Sequence, residues 1–147
     1  MSPPPRASTN AGSYVLLIRL DQARMIAAGR RPRQRFPAGY YAYVGSALNG
    51  LRTRLERHLR EDKRLHWHID YLLREAQIVD IVTCRSQERT ECAIAAALAE
   101  RFDTVAGFGA SDCRCRSHLF RDGGKMKAAV TAALRELSLE PKAMPAE

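Results

Sequence analysis

The stretch Gly39-Tyr40-Tyr41-Ala42-Tyr43-Val44-Gly45-Ser46-Ala47 leads into a basic segment that carries Arg54 and His58. Side chains alternate along a strand, so Tyr41 and Tyr43 share one face with Gly39 and Gly45, while Tyr40, Ala42 and Val44 take the other. The glycines leave backbone open beside the phenols, where a ligand can approach closely. Phenol, open backbone and guanidinium together suit a phosphate-bearing ligand.

These groups need a strand and a helix to hold them. A helix is expected over Leu51–Arg60, capped by Asn49. Leu51, Leu55 and Leu59 form its apolar stripe, and Arg54 and His58 fall together beside that stripe, at the rim of the buried surface. Upstream, Gly12–Leu20 is apolar on both faces and reads as a central strand. Met25–Ala28 reads as a short strand and Arg30–Arg35 as a basic loop. Further on, helices are expected over His66–Arg74, Thr90–Phe102 and Lys125–Leu137, with strands over Ile78–Thr83 and Ser117–Arg121. The result is an α+β layer domain over residues 12–137, with a Pro-rich disordered leader over 1–11 and a flexible tail over 138–147.

Charge localises the interest. The chain of 147 residues carries a net charge of +8, and residues 1–75, with 14 basic and 6 acidic residues, hold all of it. Arg30–Arg64 alone has ten basic and three acidic residues. An Arg-rich patch interleaved with tyrosines reads as a polyanion footprint, with nucleic acid favoured over a merely solvated face. Arg31, Arg33, Arg35, Tyr41 and Arg57 are its candidate contacts, joined downstream by Arg114 and Arg116. No apolar run is long enough for a membrane span, and the start has no apolar signal region, so a cytoplasmic location is expected.

A family resemblance rests on Gly12-Ser13-Tyr14, then Tyr43-Val44-Gly45, then Arg54 on the next helix. The pattern resembles the GIY-YIG nuclease superfamily. The segments His66-Trp67-His68-Ile69-Asp70-Tyr71-Leu72-Leu73, Glu91-Cys92-Ala93 and Gly107 to Phe120 are similar to an uncharacterised branch of it, also found fused to endonuclease III–type repair glycosylases. The resemblance spans Gly12 to Phe120. It implies a sheet of about three strands flanked by helices, and hydrolysis of phosphodiester bonds in DNA with one Mg²⁺ or Mn²⁺, in repair or recombination. Tyr14 and Tyr43 would handle the attacking water, Arg54 the phosphate and Glu91 the metal, with His58 sharing a proton. The alternative is a binding module of the same fold that serves a repair partner without cutting. Tyr14 and Tyr43 stand 29 residues apart, much further than usual in that superfamily, so an extra hairpin or basic loop must lie between them.

Each assignment has a plainer competitor. Tyr14 and Tyr43 also read as core aromatics, Tyr40 as core, and Tyr40 and Tyr41 as packing or base-stacking groups. Glu91 reads equally as an acid favoured at a helix N-terminus beside a Thr90 cap, and Glu100 is the alternative carboxylate on that helix. Asp112 and His118 are possible further cleft residues. Cys84, Cys92, Cys113 and Cys115 fit no standard two-plus-two zinc spacing, so the expectation runs against zinc and towards reduced, packed cysteines.

Overall fold

The computed structural model describes residues 11–47, 50–60, 63–65, 67–86, 90–109, 115, 117–122 and 126–144. Its spine is β1 (Gly12–Leu20), flanked by β4 (Gly39–Ala47) and β5 (Gln77–Arg85). Both neighbours run antiparallel to β1. The apolar character of β1 on both sides is therefore explained by a central position, with each face covered. Outside these three lie β7 (Leu119–Asp122) and β6 (Asp103–Thr104) on one side and β8 (Lys142–Met144) on the other, giving the order β6-β7-β4-β1-β5-β8.

Alternation along β1 and β4 sorts their side chains into two cores. Tyr14, Leu16, Ile18, Tyr41 and Tyr43 face α1 (Leu51–Leu59) and α2 (His68–Leu73), packing with Leu51, Leu55, Ile69, Leu72 and Phe108. Val15, Leu17, Ala42 and Val44 face α3 (Glu91–Ala99) and α4 (Met126–Glu136), packing with Ile94, Leu98, Val130 and Leu134. Each fully buried Leu or Ile contributes roughly 1.5–3 kcal/mol. The register pairs Tyr14 with Gly45 and Leu16 with Tyr43, so the two phenols are diagonal neighbours on one face.

Several expectations are corrected. The sheet has six strands rather than about three, because short edge segments add to both sides. One of these is Lys142–Met144, which pairs with Ile81–Thr83 and lies within the stretch expected to be a flexible tail. The segment between the tyrosines is a hairpin, β2 (Arg24–Ile26) against β3 (Gln34–Phe36), so a strand occupies part of the expected basic loop. Gly50, with φ of 136°, is the residue at the N-cap of α1, and Asn49 lies outside the described residues. Thr90 stands at the N-cap of α3, where its carbonyl accepts from Ile94, but its side chain makes no capping bond; its hydroxyl lies 2.7 Å from that of Ser13 on β1. Tyr40 is exposed, not core.

Candidate active site

The strand β1 and the helix α1 bring Tyr14 and His58 together. The phenol oxygen lies 2.6 Å from Nε2 of the imidazole, and the two side chains are 2% and 3% exposed. Gly45 opposite Tyr14 makes this possible: a Cβ there would sit 2.3 Å from both the phenol oxygen and the ring carbon that bears it. Burial pushes the Tyr14 phenol well above its ordinary range, against the pull of the Arg54 guanidinium. Burial also pushes the His58 imidazole down to about 3, helped by the charge on Lys63. The Lys63 ammonium donates to the His58 carbonyl at 2.7 Å. The pair therefore rests as neutral phenol and neutral imidazole. Nδ1 of His58 is buried with no hydrogen-bond partner among the described residues, a costly position for a ring nitrogen.

Tyr43 completes the aromatic pocket. Its ring meets His58 and Phe108 edge to face, with centroids 6.3 and 6.4 Å apart, and it is 8% exposed. Burial is the largest influence raising its phenol; Tyr14 and the Glu91 charge raise it further, and Arg54 opposes. Gly109, at φ of 70°, approaches so closely that a Cβ would lie 3.0 Å from the Tyr43 ring. Glu91 sits in the first turn of α3, whose buried residues belong to the other core. Its charge raises both phenols, and that of Arg54 lowers them. Glu91 Oε2 lies 3.9 Å from Nδ1 of His118, which is within 3.2 Å of the Val44 carbonyl. One half-buried carboxylate fits a Mg²⁺ or Mn²⁺ that keeps most of its waters. Glu100 stands exposed at the far end of the helix, about 13 Å further along its axis, and is no substitute.

Arg54 and Arg57 have different tasks. The Arg54 guanidinium donates to the Ser46 carbonyl at 3.0 Å and lies 4.5 Å from the centre of the Trp67 ring. Arg57 stacks on the same ring at 4.2 Å and clamps Asp70 with two hydrogen bonds of 3.0 and 2.9 Å. Asp70 is fully buried and also accepts the backbone N–H of Trp67. Trp67 and Asp70 were not foreseen as parts of the site. An acid embedded in the apolar run Ile69 to Leu73 is the signal that would have found Asp70, since such a group needs a partner.

The expected nucleic-acid contacts divide. Arg33 and Arg35 are exposed on and beside β3. Arg31 is half-buried and tied to Gln34 and the Ala106 carbonyl. Arg57 pairs with Asp70 and keeps a quarter of its side chain exposed. Tyr41 is corrected: it is fully buried, packs on Phe36 and donates to the Pro37 carbonyl, so it has no face for a base. Asp112, Arg114, Arg116 and Cys113 lie outside the described residues. His118 is buried beside the tyrosine pocket rather than in an open cleft. A groove of about 870 Å³, lined in part by His58, Arg60, Lys63 and Arg74, borders the imidazole.

The class defined here is an α+β domain with an antiparallel sheet covered on both faces by helices and a buried phenol–imidazole pair between β1 and α1. The sequence matches the domain of unknown function DUF123 over residues 13–139, and the chain belongs to that family. No curated protein and no solved structure matches it. Among the described residues, no helix is long and apolar enough to cross a membrane.

Proposed function

We propose that this domain is a metal-dependent endonuclease that hydrolyses phosphodiester bonds in DNA, acting in repair or recombination. The observation that carries the reading is the 2.6 Å contact between the Tyr14 phenol and His58 Nε2, for which Gly45 leaves the room. The His58 imidazole, pushed down to about 3, accepts the phenol's hydrogen bond but is a weak base, so the proton stays on Tyr14 until positive charge arrives beside the pair. The phenol is a poor base until positive charge favours its anion. In the proposed reaction, with positive charge beside the pair, Tyr14 takes a proton from the attacking water as it hands its own to His58. The water oxygen bonds to phosphorus, the P–O bond to the leaving strand breaks, that strand's oxygen takes a proton from solvent, and His58 returns its own to solvent. Tyr43 orients that water. Arg54 holds the phosphate and offsets the negative charge that grows on it. Glu91 would hold Mg²⁺ or Mn²⁺, which when bound acts as a Lewis acid on the phosphate. The local basic patch, with Arg33 and Arg35 exposed, supports a DNA backbone as the ligand.

A second reading is favoured by one observation: Tyr14, Tyr43 and His58 are all nearly closed to solvent. A nucleic-acid-binding module that serves a repair partner would keep this pocket as core and use only the exposed arginines. Incubation of the protein with linear, flapped and branched DNA in Mg²⁺ or Mn²⁺ separates the two. Cleavage supports the nuclease; salt-sensitive binding with no cleavage of any substrate supports the module.

A further inference from the structure

Cys92 lies in the first turn of α3, and Cys115 and His118 lie in the segment leading into β7. One ligand atom from each, two sulfurs and a ring nitrogen, lie within 4.8 Å of one another. The residues are up to 26 positions apart in the chain, and it is the fold that gathers them. Thiolate and imidazole are the donors that zinc prefers, whereas Mg²⁺ and Ca²⁺ take oxygen. Ligand atoms on a tetrahedral zinc stand roughly 3.5–3.8 Å apart, so closing the cluster needs shifts of about 1 Å.

His118 carries a second, independent mark of a metal ligand. Its Nδ1 lies 3.2 Å from the Val44 carbonyl, and a carbonyl oxygen can only accept, so that contact selects the tautomer with the proton on Nδ1. Nε2 then keeps the lone pair that a metal needs. A ring nitrogen anchored on a backbone carbonyl is a usual support for a zinc-bound histidine. The Val44 carbonyl takes the Nδ1 proton; Glu91 Oε2, 3.9 Å from the same nitrogen, is beyond hydrogen-bond distance.

We propose that Cys92, Cys115 and His118 bind a zinc-class ion, at a site distinct from the hydrated Mg²⁺ or Mn²⁺ assigned to Glu91. The ion fastens the start of α3 to the approach to β7. That approach also forms one wall of the tyrosine pocket: the His118 backbone N–H donates to the Phe108 carbonyl at 2.8 Å, and its carbonyl accepts from Val44 at 2.9 Å. The zinc thereby sets how firmly Gly109 is held against Tyr43.

The test uses the full chain, prepared with reductant from zinc-supplemented cells. Elemental analysis is expected to give about one zinc per chain. Replacement by Co²⁺ is expected to give tetrahedral visible bands and thiolate-to-cobalt charge transfer. Cys92→Ser and Cys115→Ser should each lower zinc affinity at least tenfold and weaken the charge-transfer band, with circular dichroism confirming that each variant is folded. Cys92 is exposed, so its serine variant is the safer of the two. Three results overturn the proposal: no zinc or cobalt bound by the reduced protein, metal content and spectrum unchanged in both serine variants, or a Cys92–Cys115 disulfide in the isolated protein with no metal uptake after reduction. None of these readouts depends on DNA cleavage, so failure here leaves the nuclease reading intact.

Discussion

Tyr14 and His58, 44 residues apart in the chain, form a buried hydrogen bond of 2.6 Å between phenol oxygen and Nε2. Burial raises the phenol and lowers the imidazole, so each is driven towards its neutral form. Such a pair is chemically quiet until charge arrives beside it. Arg54 already favours the phenolate; a divalent cation near Glu91 would add to that effect. The resting pocket therefore holds a proton acceptor next to a proton donor and releases neither to water.

The lowered imidazole makes a prediction about stability and pH. The ordinary value is 6.5 and the folded value about 3. Between them the unfolded chain binds a proton that the folded chain does not. The contribution of His58 is thus flat above pH 6.5, and stability falls as the pH drops from 6.5 towards 3, by up to about 1.4 kcal/mol per unit. Urea unfolding from pH 7 to pH 4 should show a shallower acid loss in His58→Gln than in the wild type. Identical slopes would mean that the imidazole is not held neutral.

Gly45 is predicted to be intolerant of even one methyl group. A Cβ there meets the Tyr14 phenol oxygen at 2.3 Å, so Gly45→Ala must displace the ring or bend β4. The expected cost is about 1–3 kcal/mol, with loss of any activity that needs Tyr14. Thermal unfolding checks it, and an unchanged midpoint would show that the ring has room to move.

The clamp between Arg57 and Asp70 should matter for folding. Asp70 is fully buried, and removing Arg57 takes away two of its hydrogen bonds and a charge partner. Arg57→Ala is expected to destabilise by roughly 3–5 kcal/mol, softened by the quarter exposure of the arginine. A double-mutant cycle with Asp70→Asn measures the coupling, and additive effects would deny the clamp.

DNA affinity is predicted to rest on the exposed arginines. Arg33→Ala with Arg35→Ala should leave stability nearly unchanged and weaken binding. The slope of log K against log salt should fall by about 0.9 for each phosphate that is no longer neutralised. Binding titrations at several salt concentrations read this directly; an unaltered slope would place the DNA-binding surface elsewhere.

The sequence carried the local geometry well. The alternation of Tyr41 and Tyr43 against Ala42 and Val44 and the placing of His58 beside a leucine stripe follow from periodicity, while the extra hairpin or basic loop between the tyrosines follows from the comparison with the resembled superfamily's spacing. Edge strands did not, because Asp103–Thr104 and Lys142–Met144 have no apolar pattern and are strands only through their neighbours. Tyr41 was legible as sharing the Tyr43 face, but its burial was not, since that depends on Phe36 in β3. Arg57 looked like any surface arginine until Asp70, 13 residues away, came to meet it. Cys92 and Cys115 fit no spacing rule because their proximity is a product of tertiary packing.

The central claim is that Tyr14, His58, Arg54 and Glu91 form a site that hydrolyses DNA. Single-turnover cleavage of flapped and branched DNA in Mg²⁺ or Mn²⁺, run beside binding assays on the wild type, Arg54→Ala and Glu91→Gln, tests it most directly. The predicted result is cutting by the wild type, reduced at least about a hundredfold in each variant while DNA binding persists. Cleavage undiminished in both variants, or none by the wild type on any substrate with either cation, would contradict it.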